Sequence, residues 1–206
     1  MKGRDVFMKN LIITISRQYG SGGRIVAQKL AEALEIPFYD NELITMAAEK
    51  TGLSVECFKD AEKTSIGNLF FSLTSLTPSL DSVGLPLNEK IFLVQSQVIK
   101  EVAAEGPCVI VGRSADYVLQ DNPNVINVFL QADLPDRVRR AIDTYGQDEE
   151  GAEAMVIKTD KRRANYYNYF TGGKWGKAEN YDLILNTSRM DLDKIVEVIK
   201  TYVSMR

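Results

Sequence analysis

Five residues between an apolar run and an amphipathic run constrain this chain most: Gly20-Ser21-Gly22-Gly23-Arg24. Leu11 to Ser16 is apolar and β-branched, the pattern of a buried parallel strand. From Arg24 to Glu35 the period lengthens. Val26, Leu30 and Leu34 then share one helical face, with Ile25 and Ala33 beside it. A glycine-rich turn leading from a strand into a helix gathers backbone N–H groups at a helix N-terminus, where a phosphate is favoured. The complete loop of this kind reads Gly-x-x-x-x-Gly-Lys-Ser/Thr, with the lysine supplying charge and the hydroxyl holding Mg²⁺. Here Arg17 takes the first glycine position and Gly22 the second, while Gly23 replaces the lysine and Arg24 the hydroxyl residue. The glycines still permit close backbone approach. Arg24 is expected to restore the positive charge by bidentate phosphate contact. A tight glycine turn with a solvated arginine is the plainer alternative.

Beyond the loop, strands and helices alternate. Pro37 to Tyr39 reads as a short strand ending at Asp40, and Asn41 to Thr51 as a helix stopped by Gly52. Glu89 to Glu105 carries Ile91, Val94, Val98 and Val102 on one stripe and ends at Gly106-Pro107. Cys108 to Val111 is a buried strand running into Gly112-Arg113, and Val125 to Leu130 is another. A basic helix from Pro135 through Tyr145 and a helix over Asp148 to Tyr167 follow, then a strand at Asp182 to Leu185 and a final amphipathic helix at Asp191 to Val203. This alternation predicts one domain over residues 1–206: a three-layer α/β/α sandwich on a mostly parallel sheet. Residues 1–10 form a tail. Residues 41–105 form a helical region on the acceptor side, and 148–180 form a lid. Within the acceptor side, 65–88 is a variable segment rich in Ser, Thr, Leu and Pro, read either as a substrate-side insert or as a homodimer contact.

In such sheets ligands bind at the carboxyl ends of the strands. The polar clusters fall there: Ser16 to Arg24, Asp40, Gly112-Arg113, Gln131 to Asp133 and Asn186 to Ser188. Arg113 is placed to grip an anion, with Asp116 orienting it or accepting a hydrogen bond from a sugar or base; a structural pair between them is the alternative. Asp160, Arg163 and Tyr167 share one helical face. Cations on a helix closing over phosphates would neutralise charge during transfer, and the glycines after Thr171 suggest a hinge. Trp175 and the tyrosines could stack on a base, although Tyr166 and Tyr169 read more simply as packing residues. Arg137, Arg139 and Arg140 are further candidate phosphate cations, of which one or two are expected to face solvent.

Composition narrows the chemistry. The chain has no histidine and two cysteines, which excludes Ser-His-Asp and Cys-His catalysis within it. Cys57 and Cys108 have no metal-ligand spacing, so no metal ligand set is expected from this chain. A net charge of -3 argues against bulk nucleic-acid binding, including an RNA-binding role for Tyr166, Tyr167 and Trp175. No run is apolar enough to span a membrane, and the cysteine usage reads as cytoplasmic.

Together these blocks resemble the cytidylate kinase-like family, a branch of the P-loop nucleoside monophosphate kinases. The residues that carry the resemblance are Ile15 through Arg24, Pro37-Phe38-Tyr39-Asp40, Gly112-Arg113 with Asp116, Asp160-Lys161-Arg162-Arg163 with Tyr166-Tyr167, and Thr171-Gly172 with Trp175-Gly176 and Tyr181-Asp182. The resemblance implies a P-loop, an acceptor region and a lid, and transfer of the γ-phosphoryl group of ATP, with Mg²⁺, to CMP or dCMP. By position, Arg17, Gly20, Ser21, Gly22, Gly23 and Arg24 would hold donor phosphates. Asp40, Arg113, Asp116 and Asp160 would serve the substrate, and Arg24, Arg137, Arg140 and Arg163 the transferred phosphoryl group. Three departures stand out. The loop lacks the lysine and the hydroxyl, Tyr39-Asp40-Asn41 does not reproduce the acceptor motif of cytidylate kinases, and the aspartate that follows their arginine is displaced here to Asp116. The expected function is an ATP-dependent kinase for a CMP-like nucleotide or another small acceptor. The rival is a catalytically impaired nucleotide-binding or sensing protein.

Overall fold

The computed structural model describes residues 10–58 and 85–206. Five strands form a single parallel sheet: β1 (Ile12–Arg17), β2 (Phe38–Tyr39), β3 (Cys108–Val111), β4 (Val125–Gln131) and β5 (Leu183–Asn186), in the order β2-β3-β1-β4-β5. Between them run α1 (Gly23–Leu34), α2 (Glu42–Thr51), α3 (Leu87–Glu105), α4 (Ala115–Val118), α5 (Leu134–Asp143) and α6 (Ala152–Thr171), with α7 (Leu192–Met205) at the end.

The centre of the sheet is β1, paired with β3 from Ile12↔Cys108 and with β4 from Ile12↔Val125. A central parallel strand is covered on both faces and must be apolar on both. Ile13 and Ile15 pack against Val26 and Leu30 of α1 and Ile195 and Ile199 of α7. Ile12 packs on the opposite face, against Leu43 and Ile44 of α2 and Ile91 and Ile99 of α3. The result is the three-layer sandwich that the alternating pattern predicts. Thr14, a polar side chain buried at the middle of this strand, is satisfied by donating to Asn127 Oδ1 at 2.6 Å.

Several details differ from the sequence reading, among them α6, which runs Ala152–Thr171 rather than from Asp148 to Tyr167. The α3 helix starts at Leu87, directly after Pro86 at its N-cap, rather than at Glu89. The short α4 has no counterpart in the apolar pattern. It follows three successive residues in the left-handed region, Gly112, Arg113 and Ser114, at φ +73°, +58° and +52°. The variable segment at 65–88 falls outside the described residues except for 85–88, and the N-terminal tail does so except for Asn10. Among the described residues, no helix is long and apolar enough to cross a membrane.

Candidate active site

The chain leaves β1 at Arg17 and turns through Gly20 and Gly22, both left-handed at φ +78° and +81°, into α1. At Gly20 a Cβ would also drive into the backbone carbonyl of Arg137, so both conformation and space require glycine. No side chain caps α1. Ser21 Oγ instead turns back to donate to the Gln18 carbonyl at 2.8 Å. Gly20, Ser21, Gly22 and Gly23, expected to hold donor phosphates, are buried and do not line the cavity above the loop, whose wall takes Arg17 and Arg24 from either side of them.

The loop is pinned from beneath. Gln18 N donates to the Leu130 carbonyl at 2.9 Å, and Thr187 Oγ1 donates to the Ser21 carbonyl at 2.7 Å. Arg140 Nη1 donates to the Gly20 carbonyl. Asp160 accepts the Tyr19 amide at 2.7 Å and pairs with Arg137 Nη1. These contacts bear on three expected site residues. Arg137, Arg140 and Asp160 do not line the cavity; they hold the underside of the loop. The reason is that a tight turn leaves carbonyls and an amide with no partner in the sheet, and α5 and α6 pass close enough to supply one. Burial pushes the Asp160 carboxyl up from its ordinary value, while the Tyr19 amide, Arg137 and Arg163 pull it back.

Above the loop lies a cavity of about 440 Å³. Its wall contains five arginines, Arg17, Arg24, Arg113, Arg162 and Arg163, and one carboxylate, Asp40. They come from four places in the fold. Arg17 ends β1, and its side chain, 18% exposed, lies against Gly112 with Nη2 3.7 Å from Asp40 Oδ1. Arg24 is 57% exposed, and its Nε pairs with Asp40 Oδ2 at 2.7 Å. Arg113 is held in the left-handed run after β3. For a residue with a Cβ this conformation costs about 1–2 kcal/mol, strain of the sort concentrated at ligand sites. Arg163, on α6, donates from Nη1 to the Arg17 carbonyl at 2.9 Å and lies over the Tyr19 ring at 5.5 Å. Burial pulls its guanidinium down from its ordinary value and Arg113 adds to this, while Asp160 pulls it up. It remains a cation. An excess of positive charge around a concave hollow suits a polyanion.

Other expected residues fall into place differently. Asp116 does not line the cavity. It is buried behind the wall, and neither carboxylate oxygen has a hydrogen-bond partner of good geometry among the described residues. Burial pushes it up to about 6, against a weaker downward pull from the neighbouring Tyr167 hydroxyl. Burial likewise pushes up the phenols of Tyr167 and Tyr181. Trp175 lines the cavity and packs edge-on to Phe129 at 5.2 Å. Tyr166 packs as expected, donating to Gln95 Oε1 at 2.9 Å, but also lines the cavity. Tyr169 is a packing residue whose hydroxyl donates to Glu89.

Sequence reasoning missed Thr159 and Arg162, joined by an Nη2–Oγ1 hydrogen bond of 3.1 Å, as well as Asn41 and Ser114. For the first two the signal was present. Residues 159, 162, 163, 166 and 167 follow the three-and-four spacing of one helical face, and all five line the cavity. For Ser114 there was none, because nothing local in the sequence announces a left-handed run through Arg113 and Ser114.

Residues 12–189 match the family model described as the cytidylate kinase-like family. The chain belongs to the cytidylate kinase-like family. A curated relative within reach of this assignment is a cytidylate kinase of Saccharolobus islandicus, 26% identical over 196 residues that cover 95% of this chain and 92% of that protein. Among solved structures, an uncharacterized protein from Eubacterium ventriosum is 30% identical with a TM-score of 0.72, covering 95% of this chain and 99% of that one. The shikimate kinase of Bacteroides thetaiotaomicron has a TM-score of 0.56 at 16% identity, covering 94% and 98%, a likeness of fold. For this cytidylate kinase-like chain, the family implies nucleotide use.

Proposed function

We propose that the chain is an ATP-dependent kinase that transfers the γ-phosphoryl group to a nucleoside monophosphate such as CMP, or to a small acceptor of similar charge. The observation that carries this reading is the cavity wall: five arginines against one carboxylate, beside a glycine loop at the carboxyl ends of β1 and β3. Transfer of a phosphoryl group depends mainly on positioning and charge neutralisation. Cations already fixed in a hollow need little reorganisation as charge shifts from the γ-phosphate to the leaving ADP. The loop and Arg17 suit the donor phosphates. Arg113 and Arg162, farther from the loop in sequence, suit the acceptor.

The acceptor class follows from the lack of a ready base among the described residues. Asp40, the carboxylate in the wall, is paired with Arg24 and Arg17. An alcohol acceptor would need its proton removed. A monophosphate arrives with an anionic oxygen, its second pKa being about 6, and attacks the γ-phosphorus without one. The residues present do not make a magnesium site: Arg24 stands at the hydroxyl position and is committed to Asp40, and no group of three acidic, thiol or imidazole side chains gathers among the described residues. Any Mg²⁺ would come as part of the donor, on the phosphates of ATP. An ATP donor carries with it a cytoplasmic site of action.

The position of Arg24 also favours a second reading, nucleotide binding without turnover. Incubation with ATP, Mg²⁺ and a panel of CMP, dCMP, other monophosphates and uncharged nucleosides decides between them. ADP formation that depends on a monophosphate is the expected result. Tight ATP binding with no acceptor-dependent ADP across the panel would leave the sensing role.

A further inference from the structure

We infer that Arg17 carries the charge that a lysine supplies in the ordinary loop, and that residue 23 is glycine because the Arg17 side chain passes over it. This rests on the kinase reading of the cavity. A Cβ placed on Gly23 would lie 2.6 Å from Arg17 Cβ and 2.8 Å from its Cγ. Real Cβ atoms do not approach so closely, and both Arg17 atoms are near the backbone and cannot swing aside. Side chains at 17 and 23 therefore exclude one another. The ordinary motif resolves the conflict with glycine at its first position and lysine at its seventh. This chain resolves it the other way, with Arg17 first and Gly23 seventh. What looks like two independent losses is one exchange.

The geometry gives the exchanged cation a fixed place. The Arg17 side chain is largely buried and runs across the loop mouth to Gly112, whose own Cβ would collide with the guanidinium. Gly112 and Gly23 thus form a trough for it. Its backbone is held by Arg163 Nη1 on its carbonyl, and Asp40 at 3.7 Å offsets part of its charge. Arg24 differs on each point: it is mostly exposed and makes a close pair of 2.7 Å with Asp40. A planar guanidinium in this trough presents two parallel N–H groups to the terminal phosphates of a nucleoside triphosphate, where a lysine presents one point charge.

The exchange is tested by a four-protein cycle on the full chain: wild type, Arg17→Gly, Gly23→Lys and the double variant, with Arg17→Gln as a version that keeps the side chain's bulk. Melting temperature and ATP affinity by calorimetry are the readouts, neither of which needs turnover. Arg17→Gly and Arg17→Gln should weaken ATP binding by about tenfold or more, the loss expected for one charge-assisted bidentate contact. Gly23→Lys alone should lower the melting temperature and abolish binding. The double variant should bind within about threefold of wild type, the spread usual for a restored contact. Unchanged affinity in Arg17→Gln, or a Gly23→Lys protein as stable as wild type, overturns the inference and leaves the kinase reading standing. A wild type with no affinity for ATP overturns both.

Discussion

The two faces of the glycine loop are built from the same residue type to opposite ends. On the underside, each arginine meets an oxygen that the protein provides: Arg137 meets Asp160, and Arg140 meets the Gly20 carbonyl. On the cavity face, arginines outnumber carboxylates five to one. Arginine is therefore not in itself a sign of a ligand. What separates brace from site is the balance of formal charge, since Arg24, Arg162 and Arg163 on the cavity side also meet protein oxygens. Two aspartates repeat the contrast. Partly buried Asp160 has an arginine and an amide, whereas buried Asp116, behind the cavity wall, has the Tyr167 phenol and backbone amides near it but no cation among the causes that shift it.

The contrast breaks first at Arg137. Arg137→Ala removes the nearer of Asp160's two arginines and leaves it the Tyr19 amide and Arg163 at 4.0 Å, a loss of about 2–3 kcal/mol, and should lower the melting temperature by about 5 °C or more. A fall of under about 3 °C, less than 1–2 kcal/mol for a chain this long, would mean the underside is no brace. Asp116 sharpens the picture from the other side. Its carboxyl takes up a proton near pH 6 in the fold but near its ordinary 3.8 when unfolded. The native state thus binds more protons between these values, so this group's contribution to stability falls as pH rises from about 4 to 6 and stays low above that. Asp116→Asn should raise stability at pH 7.5 by on the order of 2 kcal/mol, and the gain should vanish near pH 4. Denaturant titrations at both pH values check this, and an equal gain at each would place its origin elsewhere. The smallest effect belongs to Arg139, whose side chain is 69% exposed and pairs with Asp136 one turn away. Arg139→Ala should change stability by less than about 0.5 kcal/mol and leave ATP affinity as it is, which calorimetry reads directly.

The sheet and its helices were legible because they are written as period: apolar runs for β1, β3 and β4, stripes for α1 and α3. The place of the cavity was legible too, since Asp40 and Gly112-Arg113, which line it, stand where strands end. Side-chain direction was not. Arg137 and Arg140 lie on a basic helix, and only the approach of α5 to Gly20 turns them toward the loop carbonyls. Arg24 looked like the replacement cation because it adjoins the missing lysine. The steric conflict that singles out Arg17 arises between residues six positions apart across a turn, which no local pattern encodes. Asp116 drew attention as a carboxylate near Arg113, but the left-handed run between strand and helix carries it behind the wall.

The central position of β1 bears on how the chain is made. Among the described residues, β1 is made first and takes both its neighbours from far downstream, β3 near residue 108 and β4 near residue 125. At about 5–20 residues per second, it waits roughly 5–20 s with both edges unpaired. The loop that follows waits longer still, since its braces arrive with Arg137, Asp160 and Thr187. Nascent chains cut short before residue 187 would hold the glycines without the site, and would offer a bare apolar strand to chaperones or to one another.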